Sequence, residues 1–203
     1  MIKNIIFDLG GVLIDWNPEY LYKKIIPDAD QRTYFFDNIC TQEWNECQDA
    51  GRSLAEGTQV LVEKYPHYKA EIEAFYGRWE EMLGGPIQET VDMLTSLYHG
   101  NRYPLYALTN WSDETFPIAL KKFDFLQLFR DIVVSGEEKM KKPSHKFYNL
   151  LLDRHRLSPN STLFIDDNAR NVKAACELGL HTIHFTNPGK LHEKLKNTYS
   201  IFA

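Results

Sequence analysis

Ile2-Lys3-Asn4-Ile5-Ile6-Phe7-Asp8-Leu9, followed at once by Gly10-Gly11, decides the fold class of this chain. An apolar run this short, centred on Ile5, Ile6 and Phe7 and stopped by a glycine pair, reads as a buried strand entering a tight loop. Comparable runs recur at 103–109, 132–135, 162–165 and 182–185, each rich in β-branched or aromatic residues. Helical-looking sequence separates them. That alternation predicts an α/β fold, a doubly wound parallel sheet with helices on both faces. Helix punctuation agrees: Ser53-x-x-Glu56 forms a capping box, Pro143 suits a first helical turn, Gly179 suits a stop after 168–178, and Asn187-Pro188 opens a last helix.

Outward from the first strand the pattern changes. Between 17 and 85 there is no convincing strand, only amphipathic stretches around 34–39, 54–65 and 72–83. The sequence therefore divides into an α/β body, 1–16 with 86–203, and a small helical subdomain, 17–85, inserted after the first strand. Gly84-Gly85-Pro86 reads as the hinge that returns the chain to the body.

Composition bounds the function. With 203 residues, 43% of them hydrophobic, the chain buries a full core and lies far from the signature of disorder. A formal net charge of -5 and the lack of a long basic run argue against a nucleic-acid partner. Cys40, Cys47 and Cys176 are odd in number and form no C-x-x-C pair, so neither a disulfide framework nor a zinc site is expected. The seven histidines show no metal-ligand spacing. No stretch is apolar enough to cross a bilayer, and the amino terminus lacks a cleavage pattern, so the expectation is a cytoplasmic protein with no membrane partner.

In an open parallel sheet the loops at the carboxyl ends of the strands meet at the ligand crevice. Four of these ends carry polar chemistry: Asp8, Thr109-Asn110, Lys142 soon after the strand ending at Ser135, and Asp166-Asp167. A carboxylate nucleophile, a hydroxyl and amide pair, a lysine and an acidic pair together suit a phosphoryl group bound with a hard cation. Each alone has a plainer reading. Asp8 before two glycines is a turn, Lys142 belongs to a solvated cluster with Lys139 and Lys141, Asp166-Asp167 caps a helix, and Thr109-Asn110 ends a strand.

Phe-Asp-Leu-Gly-Gly-Val-Leu at 7–13, Leu-Thr-Asn at 108–110, Lys142-Pro143 and Phe-Ile-Asp-Asp-Asn at 164–168 resemble, in order and spacing, the four motifs of the haloacid dehalogenase-like superfamily. The helical stretch after the first motif resembles that family's cap. The resemblance implies that Asp8 is a nucleophile forming an aspartyl-phosphate, which water then hydrolyses. It also implies magnesium, bound by Asp8, the Gly10 carbonyl and Asp167, with Asp166 in a supporting place. Thr109 and Asn110 would hold phosphoryl oxygens, and Lys142 would neutralise the charge gathered there. Asn171 stands where relatives often have another acidic residue.

One departure matters. Many phosphatases of the family carry a second aspartate two positions after the nucleophile, as general acid; here that position is Gly10. General acid catalysis contributes about 10²- to 10⁴-fold. Members resembling sugar phosphatases share the Asp-Leu-Gly pattern, so hydrolysis of a small phosphorylated metabolite, such as a sugar phosphate, is the expected activity. Asp15 is the candidate substitute acid, with capping of the turn before Asn17-Pro18 as its alternative. A non-catalytic phosphometabolite-binding module and a 2-haloacid dehalogenase are the competing readings. In the helical subdomain, Trp44, Asn45, Gln48 and Arg52 have spacings that place them on one face, either turned to the crevice or an ordinary surface.

Overall fold

The computed structural model describes residues 1–202. β1 (Asn4–Phe7) leads through a tight loop to β2 (Ile14–Trp16). Five helices follow: α1 (Glu19–Ile25), α2 (Ala29–Asn38), α3 (Gln42–Asp49), α4 (Leu54–Lys64) and α5 (Lys69–Gly77). β3 (Leu83–Pro86) then pairs antiparallel with β2. The remainder alternates: α6 (Gln88–Gly100), β4 (Leu105–Thr109), α7 (Phe116–Lys122), β5 (Asp131–Val134), α8 (Ser135–Glu138), α9 (His145–His155), β6 (Thr162–Asp166), α10 (Ala169–Glu177), β7 (His181–His184) and α11 (Pro188–Asn197).

The main sheet has the order β5-β4-β1-β6-β7, with every pairing parallel. Successive side chains of a strand point to opposite faces, so each strand here feeds two cores. Ile5, Phe7, Leu105, Ala107, Leu163 and Ile165 pack with Leu94 and Leu97 of α6 and Leu191 and Leu195 of α11. Ile6, Tyr106, Leu108 and Phe164 pack with Phe147, Leu151, Ala174 and Ala175 of α9 and α10. Burial on both faces explains why the strands read as continuous apolar runs. The chain builds outward from β1 to β4 and β5 on one side, then returns to add β6 and β7 on the other. The carboxyl end of β1 therefore opens at the point where the winding reverses, the place where open α/β sheets bind ligands.

All five runs of the sequence reading appear as the strands of this sheet, with ends shifted by at most two residues. Helix ends follow their punctuation. Ser53 accepts from the Glu56 amide, Asn187 accepts from the Lys190 amide ahead of Pro188, and Gly179, at φ +84°, closes α10 with its amide on the Cys176 carbonyl. Pro143 is the exception: it precedes Ser144, the cap of α9, and does not enter the first turn. The β2–β3 ladder was also not expected. Glycine and proline are poor strand formers, so Gly84-Gly85-Pro86 reads as a hinge. Yet a Cβ on Gly84 would stand 2.3 Å from the Asp15 carboxylate, so the glycine lets the two chains close up. The three cysteines are unpaired, and no helix among the described residues is long and apolar enough to cross a membrane.

Candidate active site

Asp8 is the first residue beyond β1, and its amide donates to the Ile165 carbonyl of the neighbouring strand at 2.8 Å. Its carboxylate has one oxygen on the Leu9 amide at 2.7 Å and the other 2.9 Å from the Lys142 ammonium. Lys142 is buried and also meets Asp166 at 2.8 Å. Asp166 is held from its other side by the Asn168 amide at 2.8 Å and by the Asn171 side chain, 3.1 Å from both oxygens. Asp166 is therefore saturated. It serves as the fixed counter-charge of Lys142, while Asn171 donates to it.

Asn110 and Lys142 are bound reciprocally: the asparagine side chain accepts from the Lys142 amide at 2.9 Å and donates to its carbonyl at 3.0 Å. The side chain expected to hold phosphoryl oxygens thus fixes the backbone of the lysine. Thr109, the last residue of β4, is buried with its hydroxyl lacking a hydrogen-bond partner, a donor left free next to the site. Buried hydroxyls without partners are unfavourable by roughly 1–3 kcal/mol, so a ligand oxygen there would be favoured.

Carboxylate oxygens of Asp8, Asp166 and Asp167 lie within 4.8 Å of one another. Three carboxylates face one lysine, which leaves a surplus of negative charge that suits a divalent hard cation. The loop makes room for it. A Cβ on Gly11 would fall 2.3 Å from an Asp167 oxygen, and Gly11 has φ +71°, so only glycine lets the first loop pass so close to Asp167. Burial, and then the neighbouring Asp166 and Asp167 charges, raise the Asp8 carboxyl, with Lys142 pulling it back down. Burial alone would lower Lys142, but the Asp166 and Asp8 carboxylates outweigh it and hold the lysine charged. Burial and the Asp166 charge likewise raise Asp167. The residues present fit a magnesium ion at Asp8, Gly10 and Asp167.

These groups floor a cavity of about 370 Å³. Its opposite wall comes from the helical insertion: Gln42, Asn45, Glu46 and Asp49 of α3, Tyr76 of α5, and Trp79. Trp16, Trp111 and Arg170 also line the cavity. Of the face proposed from the sequence, only Asn45 lines the cavity. Gln48 donates to the Trp44 carbonyl and to the Tyr76 hydroxyl, the Trp44 indole donates to the Gly57 carbonyl, and Arg52 donates to Gln48, so these three hold α3, α4 and α5 together. Asp15 is not among the lining residues; it accepts from the Tyr20 hydroxyl at 2.6 Å. Glu46, Asp49, Tyr76, Trp79 and Arg170 were missed. The signal existed in part, since 42, 45, 46 and 49 follow the i, i+3, i+4, i+7 spacing of one helical stripe.

Residues 5–185 match the family described as haloacid dehalogenase-like hydrolase. The chain is similar to drimenol cyclase drtB of Aspergillus calidoustus, 24% identical over 98% of this chain but only 37% of that protein, so it spans little more than a third of that relative. It is also similar to the sesquiterpene phosphatase astK of Aspergillus oryzae, 28% identical over 91% of this chain and 90% of the other. Among solved structures, the enzyme bt-2542 of Bacteroides thetaiotaomicron, in complex with magnesium and inorganic phosphate, superposes with a TM-score of 0.69 at 28% identity, covering 92% of this chain and 96% of that one. The chain belongs to the haloacid dehalogenase-like hydrolases, the family that its four motifs resemble.

Proposed function

We propose that this chain is a magnesium-dependent phosphate monoester hydrolase that works through an aspartyl-phosphate on Asp8. The observation that carries this reading is the meeting of the Asp8 carboxylate, the buried Lys142 ammonium and Asp167 on the floor of one cavity. Asp8, the Gly10 carbonyl and Asp167 would hold magnesium, which supplies charge neutralisation at the phosphoryl oxygens. An Asp8 oxygen attacks phosphorus, an O–P bond forms, and the bond to the substrate alcohol breaks. Water then attacks the same phosphorus, releasing phosphate and restoring the Asp8 carboxylate. Lys142 orients Asp8 and opposes the upward pull of burial on its carboxyl, and the unpartnered Thr109 hydroxyl is a donor for a phosphoryl oxygen.

The substrate is a small phosphorylated metabolite, and the cavity favours a sugar phosphate. Trp16, Tyr76, Trp79 and Trp111 give the cavity an aromatic lining suited to the C–H surface of a sugar, and Gln42 and Asn45 add amides suited to its hydroxyls. A volume of about 370 Å³ suits a small ligand. The test is phosphate release from sugar phosphates, nucleotides, phosphorylated acids and prenyl phosphates, with magnesium or chelator, in the native chain and Asp8→Asn. Turnover should need both the metal and Asp8, the substitution removing on the order of 10⁴-fold or more of the rate. Release that survives either change sinks the mechanism; turnover of prenyl phosphates alone sinks the sugar reading. Metal-free halide release from a chloro-acid would instead mark a dehalogenase.

A further inference from the structure

The first loop carries Gly10 where a proton donor would stand, yet an alcohol leaving from phosphorus at neutral pH needs one. Four carboxyl groups line the cavity: Asp8, Glu46, Asp49 and Asp167. Asp8 and Asp167 belong to the nucleophile and metal site. Glu46 is paired with Lys141 and with Arg170, the latter at 3.2 Å, and these partners hold it ionised. Asp49 differs. Among the described residues no lysine, arginine or histidine nitrogen lies within ion-pair distance of it, and its side-chain partner is the Asn45 amide at 3.3 Å.

Its placement is set by the α/β body as much as by the insertion. The Asp49 carbonyl accepts from the Ser135 hydroxyl at the end of β5, which in turn accepts from the Trp111 amide at 2.9 Å. Gly51, at φ +94°, lies so close to this element that a Cβ would stand 3.0 Å from the Gly136 carbonyl. The C-terminal end of α3 is thus stitched to the loops that follow β4 and β5, which fixes the backbone of Asp49 where this residue lines the cavity.

We propose that Asp49 is the catalytic proton donor and acceptor of the reaction, the role that Gly10 cannot fill. This rests on the phosphatase reading above. In the first step Asp8 forms its bond to phosphorus, the phosphorus–alcohol oxygen bond breaks, and the Asp49 proton passes to that oxygen, leaving free alcohol and an Asp49 carboxylate. In the second, the attacking water gives its proton to Asp49 as its oxygen binds phosphorus and the Asp8–phosphorus bond breaks. Both groups return to their starting states. Burial raises Asp49 to about 7, so that it can serve both as acid and as base near neutral pH. The charged groups felt there are Lys141, Glu46 and Lys142, and the Ser112 amide opposes the rise.

The decisive experiment compares two leaving groups in the full-length chain with magnesium. Para-nitrophenyl phosphate releases a phenolate that departs unprotonated, whereas a hexose phosphate releases an alkoxide that does not. Asp49→Asn should lower kcat/KM for the hexose phosphate by about 10²-fold or more. It should lower kcat/KM for the aryl ester, which reports only the steps up to phenolate departure, by far less, while kcat falls on both because the base for the shared hydrolysis step is lost. Urea unfolding of the variant reports that it is folded. The wild-type kcat/KM for the sugar ester should fall as pH rises through about 7, because the acid form is lost, and Asp49→Asn should lack this limb. Asp49→Glu should recover part of the loss. Equal losses of kcat/KM on both esters, or none on either, overturn the assignment alone; failure of the wild-type chain to turn over either ester overturns the phosphatase reading and this assignment with it.

Discussion

Two kinds of scaffold supply the walls of the cavity. On the floor, Asp8, Asn110 and Asp167 stand just beyond the ends of adjacent parallel strands, and Lys142 is clamped among them by Asn110 and by the carboxylates of Asp8 and Asp166. On the roof, Gln42, Asn45, Glu46 and Asp49 ride on one short helix, which reaches the body through a few polar links, Lys141 and Arg170 to Glu46 and Ser135 to the Asp49 carbonyl, while the next helix adds Glu114 accepting from the Leu54 amide at 2.7 Å. The floor is positioned by sheet hydrogen bonding and core packing that cannot shift without unfolding. The roof is positioned by side-chain contacts at its rim. Groups that must meet phosphorus with fixed geometry sit on the rigid element; groups that must admit an alcohol sit on the adjustable one.

Removing the pivot of the floor should have the larger effect. Lys142→Met keeps the bulk but leaves Asp8 and Asp166 facing each other in the interior, where the lysine side chain is 0% exposed. Breaking a buried pair from one side is unfavourable by about 3–5 kcal/mol. Urea unfolding at pH 7 in chelator should show a loss of that size, together with loss of phosphate release; a loss under about 1 kcal/mol would mean that the carboxylates neutralise themselves by protonation. On the roof the expected change is smaller. Glu46→Gln weakens two half-exposed links, each in the range of about 0–1 kcal/mol, so KM should rise a few-fold while kcat stays within about two-fold, and added salt should shrink the difference. A kcat loss approaching that of an acid–base residue would move Glu46 from the rim into the chemistry.

The same contrast governs what could be read in advance. Strands buried on both faces are written as apolar runs, and the residues that end them are the polar ones that follow, so Asp8, Thr109, Asp166 and Asp167 were legible without coordinates. Lys142 was legible only through its motif, since three lysines in four positions look like a solvated turn. The short helices were legible as helices, but a polar stripe turned toward a cavity has the same pattern as one turned toward water. The packing anchors Trp44 and Gln48 therefore fell on the face read from the sequence, while Asp49, one position after Gln48, did not. The β2–β3 ladder was hidden for a different reason: Gly84 admits the Asp15 side chain of the opposing strand and Gly85 serves a positive φ, tertiary facts with no local period.

The smallest expected effect separates the two aspartates offered for the acid's role. Asp15 lies one residue before Trp16, which lines the cavity, but its own carboxylate is bonded to the Tyr20 hydroxyl at 2.6 Å and fills the space beside Gly84. A carboxylate accepting from a tyrosine in an exposed pair can brace the entrance to the insertion, and nothing brings it to the leaving oxygen. Asp15→Asn retains an acceptor for that hydroxyl, so stability should change by no more than about 0.5 kcal/mol, and kcat/KM for the hexose phosphate by no more than about three-fold. An acid at this position would instead give a loss of about 10²- to 10⁴-fold on the sugar ester and little on the aryl ester. Measured beside Asp49→Asn on the same two substrates, that pattern would transfer the proton from the roof to the neck of the insertion, and the division of labour between floor and roof would have to be redrawn around β2.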